Sequence, residues 1–302
     1  MRITICLVVL SSSLMACGGD VRVERDGAVA SDAGPDGSSG CTGRPEVAGI
    51  VGSTGLVIAR DGTLYFTHAG GIGRLAAGAR QDTFVISAAP LSALALDAAN
   101  TTLFVAMPGS GIGRVDLGAV TPAIEPFVND LGAPYALTLG PDGGLYYADA
   151  NSGNVYRVSL PDAARTTVSG SPVTNARSIA FEPSGSLLVG SWGTGRLLRL
   201  TLAGGSESDR QVVSSALSNP IGLAVAADGR ILVADEGGAF DAGVYVVSGT
   251  GETTPLRTGL GVPAKLELGA GVLPCEDLYV AITNGPMARI DDVGPGAALP
   301  WH

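Results

Sequence analysis

The chain has 302 residues, of which 46% are hydrophobic and 15% charged, and its net charge is −10 at neutral pH. The acidic balance and the single lysine, Lys265, exclude nucleic-acid binding through a basic surface. The 45 glycines and the scarcity of helix-favouring charged residues predict an all-β fold with many tight turns.

The first 16 residues have the features of an export signal. Arg2 supplies a positive charge, residues 3–10 are an apolar run, and small residues lead to Ala16. The apolar run is too short to remain as a membrane-spanning helix. We therefore expect residues 1–16 to be a signal peptide that is removed.

The end of this signal, Leu14-Met15-Ala16-Cys17, resembles the lipobox of bacterial lipoproteins. The resemblance implies cleavage before Cys17 and attachment of a diacylglyceryl group to its sulfur, so the membrane is an expected partner. Gly18 rather than Asp follows, which implies transport to the outer membrane, with the protein facing the periplasm or the cell surface. The alternative is an ordinary secretory cut near Ala16, with Cys17 incidental.

Residues 17–44 are rich in Gly, Asp, Ser and Ala. Such a segment cannot bury enough apolar area to offset the loss of chain entropy, and it predicts a flexible tether. The remaining residues, 45–302, are predicted to form one domain.

That domain contains six copies of one pattern: an apolar strand, a tight turn, a second apolar strand, a Gly-rich loop and a third strand. The second strands begin at Leu64, Leu103, Leu145, Leu187, Ile231 and Leu278, so they are separated by 39, 42, 42, 44 and 47 residues. Asp-Gly pairs at 61–62, 142–143 and 228–229 predict tight hairpins. The period predicts a six-bladed β-propeller with four-stranded antiparallel blades; a β-solenoid or sandwich is the alternative.

The ring of blades must close, and two cysteines lie near the predicted junction. Glu46–Ile50 has the spacing of an outer strand for the sixth blade, although the C-terminal residues 297–301 compete for that role. Cys41 precedes this strand, and Cys275 lies in the enlarged first hairpin of the same blade. We expect a disulfide between them, with two unpaired thiols as the alternative.

Two of the repeats resemble NHL repeats: residues 140–158 in the third blade and residues 219–229 in the fifth. The six-blade layout resembles the group of gluconolactonase, senescence marker protein and luciferin-regenerating enzyme. Residues 60–75 also look like repeats of the streptogramin-lyase propellers. Those lyases have seven blades and depend on histidines near a metal, whereas His68 and His302 are the only histidines here.

The resemblance to the gluconolactonase group implies a divalent metal held by Glu, Asn and Asp in the central channel. Asp235 stands at the Asp position. Tyr135, Arg177 and Ile221 stand where Asn ligands are expected, and Ser53-Thr54-Gly55 replaces the early Glu pattern. Since a hard cation needs several oxygen ligands, we expect no cofactor. The alternative is Ca or Zn with Asp235 as a remnant ligand.

Polar residues that follow second strands, or that lie between blades, are predicted to converge on a central funnel and bind a ligand there. These candidates are His68, Tyr135, Asp149, Asn151, Arg177, Trp192, Asn219, Asp235, Glu236 and Asn284. The sequence favours a non-catalytic binding module for a protein, peptide or glycan. A metal-dependent lactonase or hydrolase using Asp235, and a purely architectural lipoprotein, are the other hypotheses.

Overall fold

The computed structural model describes residues 47, 49–76, 79–160, 162–238, 241–269, 277–291 and 293. The predicted signal, tether, lipidation site Cys17 and disulfide Cys41–Cys275 lie outside these residues, as does His302. Every regular element in the described part is a β-strand. None of these residues belongs to a helix long and apolar enough to cross a membrane.

The first three sheets each contain four antiparallel strands in chain order. Sheet one has β1 (Leu56–Ile58), β2 (Leu64–His68), β3 (Gly71–Ala76) and β4 (Ala79–Ile86). Sheet two has β5 (Ala93–Leu96), β6 (Thr102–Met107), β7 (Gly111–Asp116) and β8 (Glu125–Asn129). Sheet three has β9 (Pro134–Leu139), β10 (Leu145–Asp149), β11 (Val155–Val158) and β12 (Arg165–Thr167).

The next two sheets repeat this order, and the sixth has three strands among the described residues. Sheet four has β13 (Ala176–Phe181), β14 (Leu187–Ser191), β15 (Arg196–Ala203) and β16 (Ser206–Ser214). Sheet five has β17 (Pro220–Val225), β18 (Ile231–Asp235), β19 (Gly243–Val247) and β20 (Thr253–Thr258). Sheet six has β21 (Pro263–Leu268), β22 (Leu278–Ile282) and β23 (Ala288–Ile290).

The six sheets are blades of one ring. The first strand of each sheet contacts the first strand of the next, and β21 of the last sheet contacts β1 of the first. Stacking in a circle buries both faces of the inner strands, because apolar clusters fill the space between neighbouring blades. The prediction of an all-β, six-bladed propeller is therefore confirmed.

The Asp-Gly pairs form the hairpins that the sequence predicts. In each, the aspartate Oδ1 accepts a hydrogen bond from the backbone N–H two residues later, at 2.9 Å for Asp61, 3.1 Å for Asp142 and 3.0 Å for Asp228. The following glycines have positive φ, which side-chain-bearing residues rarely adopt. This turn joins the first strand to the second at the same point of three blades.

The N-terminal segment of the described domain meets the sixth blade. The Met287 N–H donates to the Ile50 carbonyl at 2.7 Å, and Val51 forms an antiparallel bridge with Pro286. The contact lies at residues 50–52, slightly after the predicted strand 46–50, of which Glu46 and Ala48 are outside the described residues. The two ends of the propeller thus meet at one seam.

The first strands share one register, which aligns the six blades residue by residue. In each blade one first-strand residue pairs with the second-strand residue that lies two positions after the Leu or Ile that begins the second strand of the sequence repeat. These first-strand residues are Leu56, Leu94, Leu137, Ile179, Leu223 and Leu266. The residues immediately before these are Gly55, Ala93, Ala136, Ser178, Gly222 and Lys265. Five of the six are small, because first strands converge near the axis and leave little room between blades. A Cβ on Gly222, for example, would lie 2.5 Å from the Ala264 carbonyl oxygen.

Candidate functional site

A cavity of about 410 Å³ lies where the first strands converge. Its lining is mostly apolar, with a few polar side chains, which is the usual composition of a small-molecule site. The polar and charged residues of the lining are Thr54, Ser92, Tyr135, Arg177, Ser178, Glu236, Lys265 and Thr283. Three of the predicted funnel residues, Tyr135, Arg177 and Glu236, are among them.

Arg177 is a charged residue of the cavity that two aromatic rings and one hydrogen bond hold in place. Its guanidinium carbon lies 4.6 Å from the centroid of the Tyr135 ring and 4.3 Å from that of the Trp192 ring. Its Nε–H donates to Asn175 Oδ1 at 3.1 Å. Cation–π contacts of this kind fix the plane of the guanidinium without using its terminal N–H groups. Arg177 therefore presents hydrogen-bond donors that the described residues leave unused.

Trp192, another predicted funnel residue, links Arg177 to Glu236. Its indole Nε1–H donates to Glu236 Oε2 at 2.6 Å. The Glu236 backbone N–H donates to the Asn219 carbonyl at 3.2 Å. Tyr135, Arg177, Trp192 and Glu236 thus form one connected group across blades three, four and five, and the sequence analysis placed all four in the funnel.

Lys265 is a second cation in the cavity lining, and the sequence analysis missed it. It is partly buried on β21, at the register position that holds small residues in the other five blades. No hydrogen bond or ion pair joins it to any residue in the described part of the chain. Alignment of the first strands in register would have found it, because a lysine among glycines, alanines and a serine is conspicuous.

Glu267 lies two residues after Lys265 on the same side of β21. It pairs across the sheet with Tyr279, which is fully buried. Burial raises the pKa of the Glu267 carboxyl to about 7, and the charge of Lys265 opposes this increase. The corresponding positions of other blades hold apolar residues or Thr138, so β21 is the first strand that has charged residues at these two register positions.

Asp235, the residue that the family resemblance places at a metal, is engaged by the backbone. Its side chain is 1% exposed, and its two oxygens accept hydrogen bonds from the N–H groups of Ser218, Asn219 and Gly237 at 2.7, 3.0 and 2.9 Å. The carboxylate therefore ties the end of β18 to the entry of β17. This also fixes the neighbouring Glu236.

The donor set around Asp235 does not fit a divalent metal. Its oxygens face amide protons, and Arg177 and Ile221 at the expected Asn positions offer no oxygen ligand. Across the described ranges, no group of three or more His, Cys, Asp or Glu side chains is arranged to hold a metal ion. A metal at this position would first have to displace three backbone hydrogen bonds.

Two further predicted residues, Asp149 and Asn151, lie at the loop after β10. The buried Asp149 carboxylate accepts from the backbone N–H groups of Asn151 at 2.9 Å and Ser152 at 3.1 Å. Side-chain capping of a turn explains this arrangement. Asn151 is exposed and does not line the cavity.

The last three predicted residues also hold loops. Asn219 accepts from the Gly193 N–H at 3.1 Å and donates to the Gly237 carbonyl at 2.7 Å, so it bridges the loops of blades four and five.

Asn284 Oδ1 accepts from the Val262 N–H at 2.9 Å. His68 Nδ1 accepts from the Gly70 N–H at 3.1 Å. These side chains shape the rim and do not line the cavity.

Comparison with known proteins supports the fold and leaves the activity open. No family model matches the sequence. Over 200 residues the chain is 29% identical to a virginiamycin B lyase of Nocardia farcinica (strain IFM 10152). The alignment covers 63% of this chain and 66% of the lyase, so it spans slightly less than two thirds of that relative.

Solved structures of different activity share the architecture. A gluconolactonase from Xanthomonas campestris superposes with a TM-score of 0.67 at 17% identity, covering 80% of this chain and 86% of that one. An auxiliary nutrient binding protein from Bacteroides thetaiotaomicron superposes with a TM-score of 0.66 at 10% identity, covering 79% and 69%. At this identity the likeness establishes a gluconolactonase-like propeller fold alone.

Replacement of Asp235 tests its structural role. We expect Asp235→Ala to lower the free energy of unfolding by about 2–4 kcal/mol, because three buried amides lose their acceptor. Urea unfolding would measure this, with Asp116→Ala as control, since Asp116 is exposed and accepts from one amide. Unchanged stability together with loss of a stoichiometric bound calcium or zinc ion would contradict the structural role.

Glu267 gives the protein a defined pH dependence. Its pKa is raised on folding, so the folded state holds a proton that the unfolded chain releases between about pH 4.5 and pH 7. Stability from this group is therefore full below that window and lost as pH rises through it. We expect Glu267→Gln to stabilise the protein by about 1–3 kcal/mol more at about pH 8 than at about pH 5.

Urea titrations of native protein and Glu267→Gln at both pH values would measure the difference. Glu125→Gln is the matched control, because that carboxylate is largely exposed. A Glu267→Gln effect that is equal at the two pH values would contradict the assignment.

Proposed function

We propose that the propeller is a non-catalytic binding module that holds its ligand in the central cavity. The observation that carries this proposal is the guanidinium of Arg177, which Tyr135 and Trp192 fix at the cavity with unused donors. A cation that is already held in one orientation is preorganised for binding, because little side-chain entropy is lost when an acceptor reaches it. A ligand that accepts hydrogen bonds would satisfy it.

The size of the cavity limits the ligand. A volume of about 410 Å³ suits a small molecule, a single sugar or the terminal residues of a chain. The sequence favours a protein, peptide or glycan ligand. Only a small free molecule of these classes, or an exposed end of a larger one, would fit into the cavity. The nutrient binding protein of the same fold supports a binding role by analogy.

The proposed site of action is the cell envelope. The lipobox-like Leu14-x-Ala16-Cys17 and the polar segment 17–44 support a lipid-anchored propeller that is held away from the membrane surface. A ligand would then reach the cavity from the periplasm or from outside the cell.

A metal-dependent lactonase or hydrolase is the alternative, and the gluconolactonase fold is what favours it. The residues present disfavour it, because Asp235 accepts hydrogen bonds from backbone amides, and Arg177 and Ile221, at two of the three expected Asn positions, have no oxygen ligand to offer. Among the described residues that line the cavity, Glu236 is the one with a carboxylate side chain.

Arg177 provides the test of the binding role. A set of monosaccharides, sugar acids, amino acids and short peptides would be screened against the full-length protein by thermal unfolding and calorimetry. We expect ligands found in this way to lose about tenfold or more in affinity with Arg177→Met, because a charge-assisted hydrogen bond is removed.

Arg114→Met is the matched control, since Arg114 lies on the outer part of blade two, half exposed beside Glu125. Retention of affinity by Arg177→Met would refute binding at this cavity. Consumption of a ligand by the native protein, followed by NMR, would favour the enzymatic alternative.

The anchor is tested by Cys17→Ser. In a Gram-negative host we expect the native chain in the membrane fraction, with a diacylglyceryl group and residues 1–16 removed. The variant cannot form the thioether, so we expect it to leave that fraction. Fractionation and mass spectrometry of the mature N-terminus would measure both. An unlipidated native N-terminus, or residues 1–16 still present in it, would contradict the proposal.

A further inference from the structure

Two cations with unused donors line the same cavity. Arg177 uses Nε toward Asn175 and its face toward two rings, and Lys265 has no polar partner within the described residues. Lys265 is also the single lysine of the whole chain. An ammonium that is partly withdrawn from water and left unpaired is unfavourable on its own.

The surroundings of Lys265 make its presence at this position informative. Its register equivalents are Gly55, Ala93, Ala136, Ser178 and Gly222, so packing near the axis favours a small residue there. The backbones are closely packed here, since a Cβ on Gly222 of the adjacent blade would lie only 3.1 Å from Lys265 Cα. The inner ring therefore has a long cationic side chain at a position where the other five blades have glycine, alanine or serine.

The nearby carboxyl groups do not neutralise these two cations. Glu236 is held by the Trp192 indole, and no oxygen of Glu236 or Glu267 lies within 4.0 Å of the Lys265 ammonium. Burial keeps the Glu267 pKa near neutrality, so this group carries only part of a negative charge at pH 7. The cavity is thus locally positive within a protein of net charge −10.

We propose that Lys265 and Arg177 together recognise a carboxylate, so that the cavity ligand is a small organic acid or the acid end of a larger molecule. This inference deepens the binding role proposed above and rests on it. Lys265 would act as a compact charge, and Arg177 as a planar donor of fixed orientation. The second oxygen of Glu236 remains for a hydroxyl or amino group of the same ligand.

The test compares ligands that differ only in the acid group. Full-length protein in detergent would be titrated by calorimetry with D-glucuronate against D-glucose, D-galacturonate against D-galactose, and tri-alanine against its C-terminal amide. We expect the acid of at least one pair to bind about tenfold or more tightly than its neutral partner. We expect that preference to weaken as salt screens the charges. The sugar pairs and the peptide pair distinguish a sugar acid from a peptide terminus as the source of the carboxylate.

Two variants assign the effect. Lys265→Gln is expected to reduce the preference for the acid by about tenfold, and Lys265→Arg to retain most of it. Arg114→Gln removes a positive charge outside the cavity and is expected to change nothing. Thermal unfolding of each variant verifies that the ring is intact.

Three results would overturn the inference: equal binding of acid and neutral partners, an unchanged preference in Lys265→Gln, or binding of no acid at millimolar concentration. If the acid and its neutral partner bind equally and both lose affinity in Arg177→Met, carboxylate recognition is refuted but the cavity remains a binding site. Ligands insensitive to both Arg177 and Lys265 would refute the binding proposal as well.

Discussion

The close approach of six first strands around one axis is the constraint on which the rest of this structure depends. Near the axis, five of the six blades have glycine, alanine or serine at the same register position, as Gly55, Ala136 and Ser178 illustrate. Small residues allow the ring to close, and the same small residues leave the cavity open. The binding site is therefore a direct consequence of how the blades pack, and its chemistry is set by the few positions that depart from the small-residue rule.

Much of the fold follows from the sequence because it depends on local and repeated patterns. The Asp-Gly turns have one mechanism. The aspartate side-chain oxygen accepts a hydrogen bond from the backbone N–H two residues later, and the glycine between them has a positive φ. The 39–47-residue period gives the blade count, since one blade cannot bury both of its faces. The seam was located only approximately, because a short pairing such as that of Val51 with Pro286 has no period to reveal it.

The site was harder to predict, for a physical reason. Sequence position placed polar residues in the right loops, but it could not say whether each side chain faces the cavity or its own backbone. Asp149 and Asp235 bind adjacent amides, whereas Arg177 and Glu236 reach the cavity. Lys265 was overlooked because it lies within a strand, where charged residues are usually read as solvent-facing. Only the register between blades shows that it occupies an inner position.

The group formed by Tyr135, Arg177, Trp192 and Glu236 has a consequence for the energetics of association. Its members come from three consecutive blades, and each is already restrained by a neighbour before any guest arrives. These side chains would therefore already have their bound rotamers, and little side-chain entropy would be lost when a ligand binds. Selectivity among ligands would depend on their own shape and charge, because these four side chains have little freedom to rearrange around them.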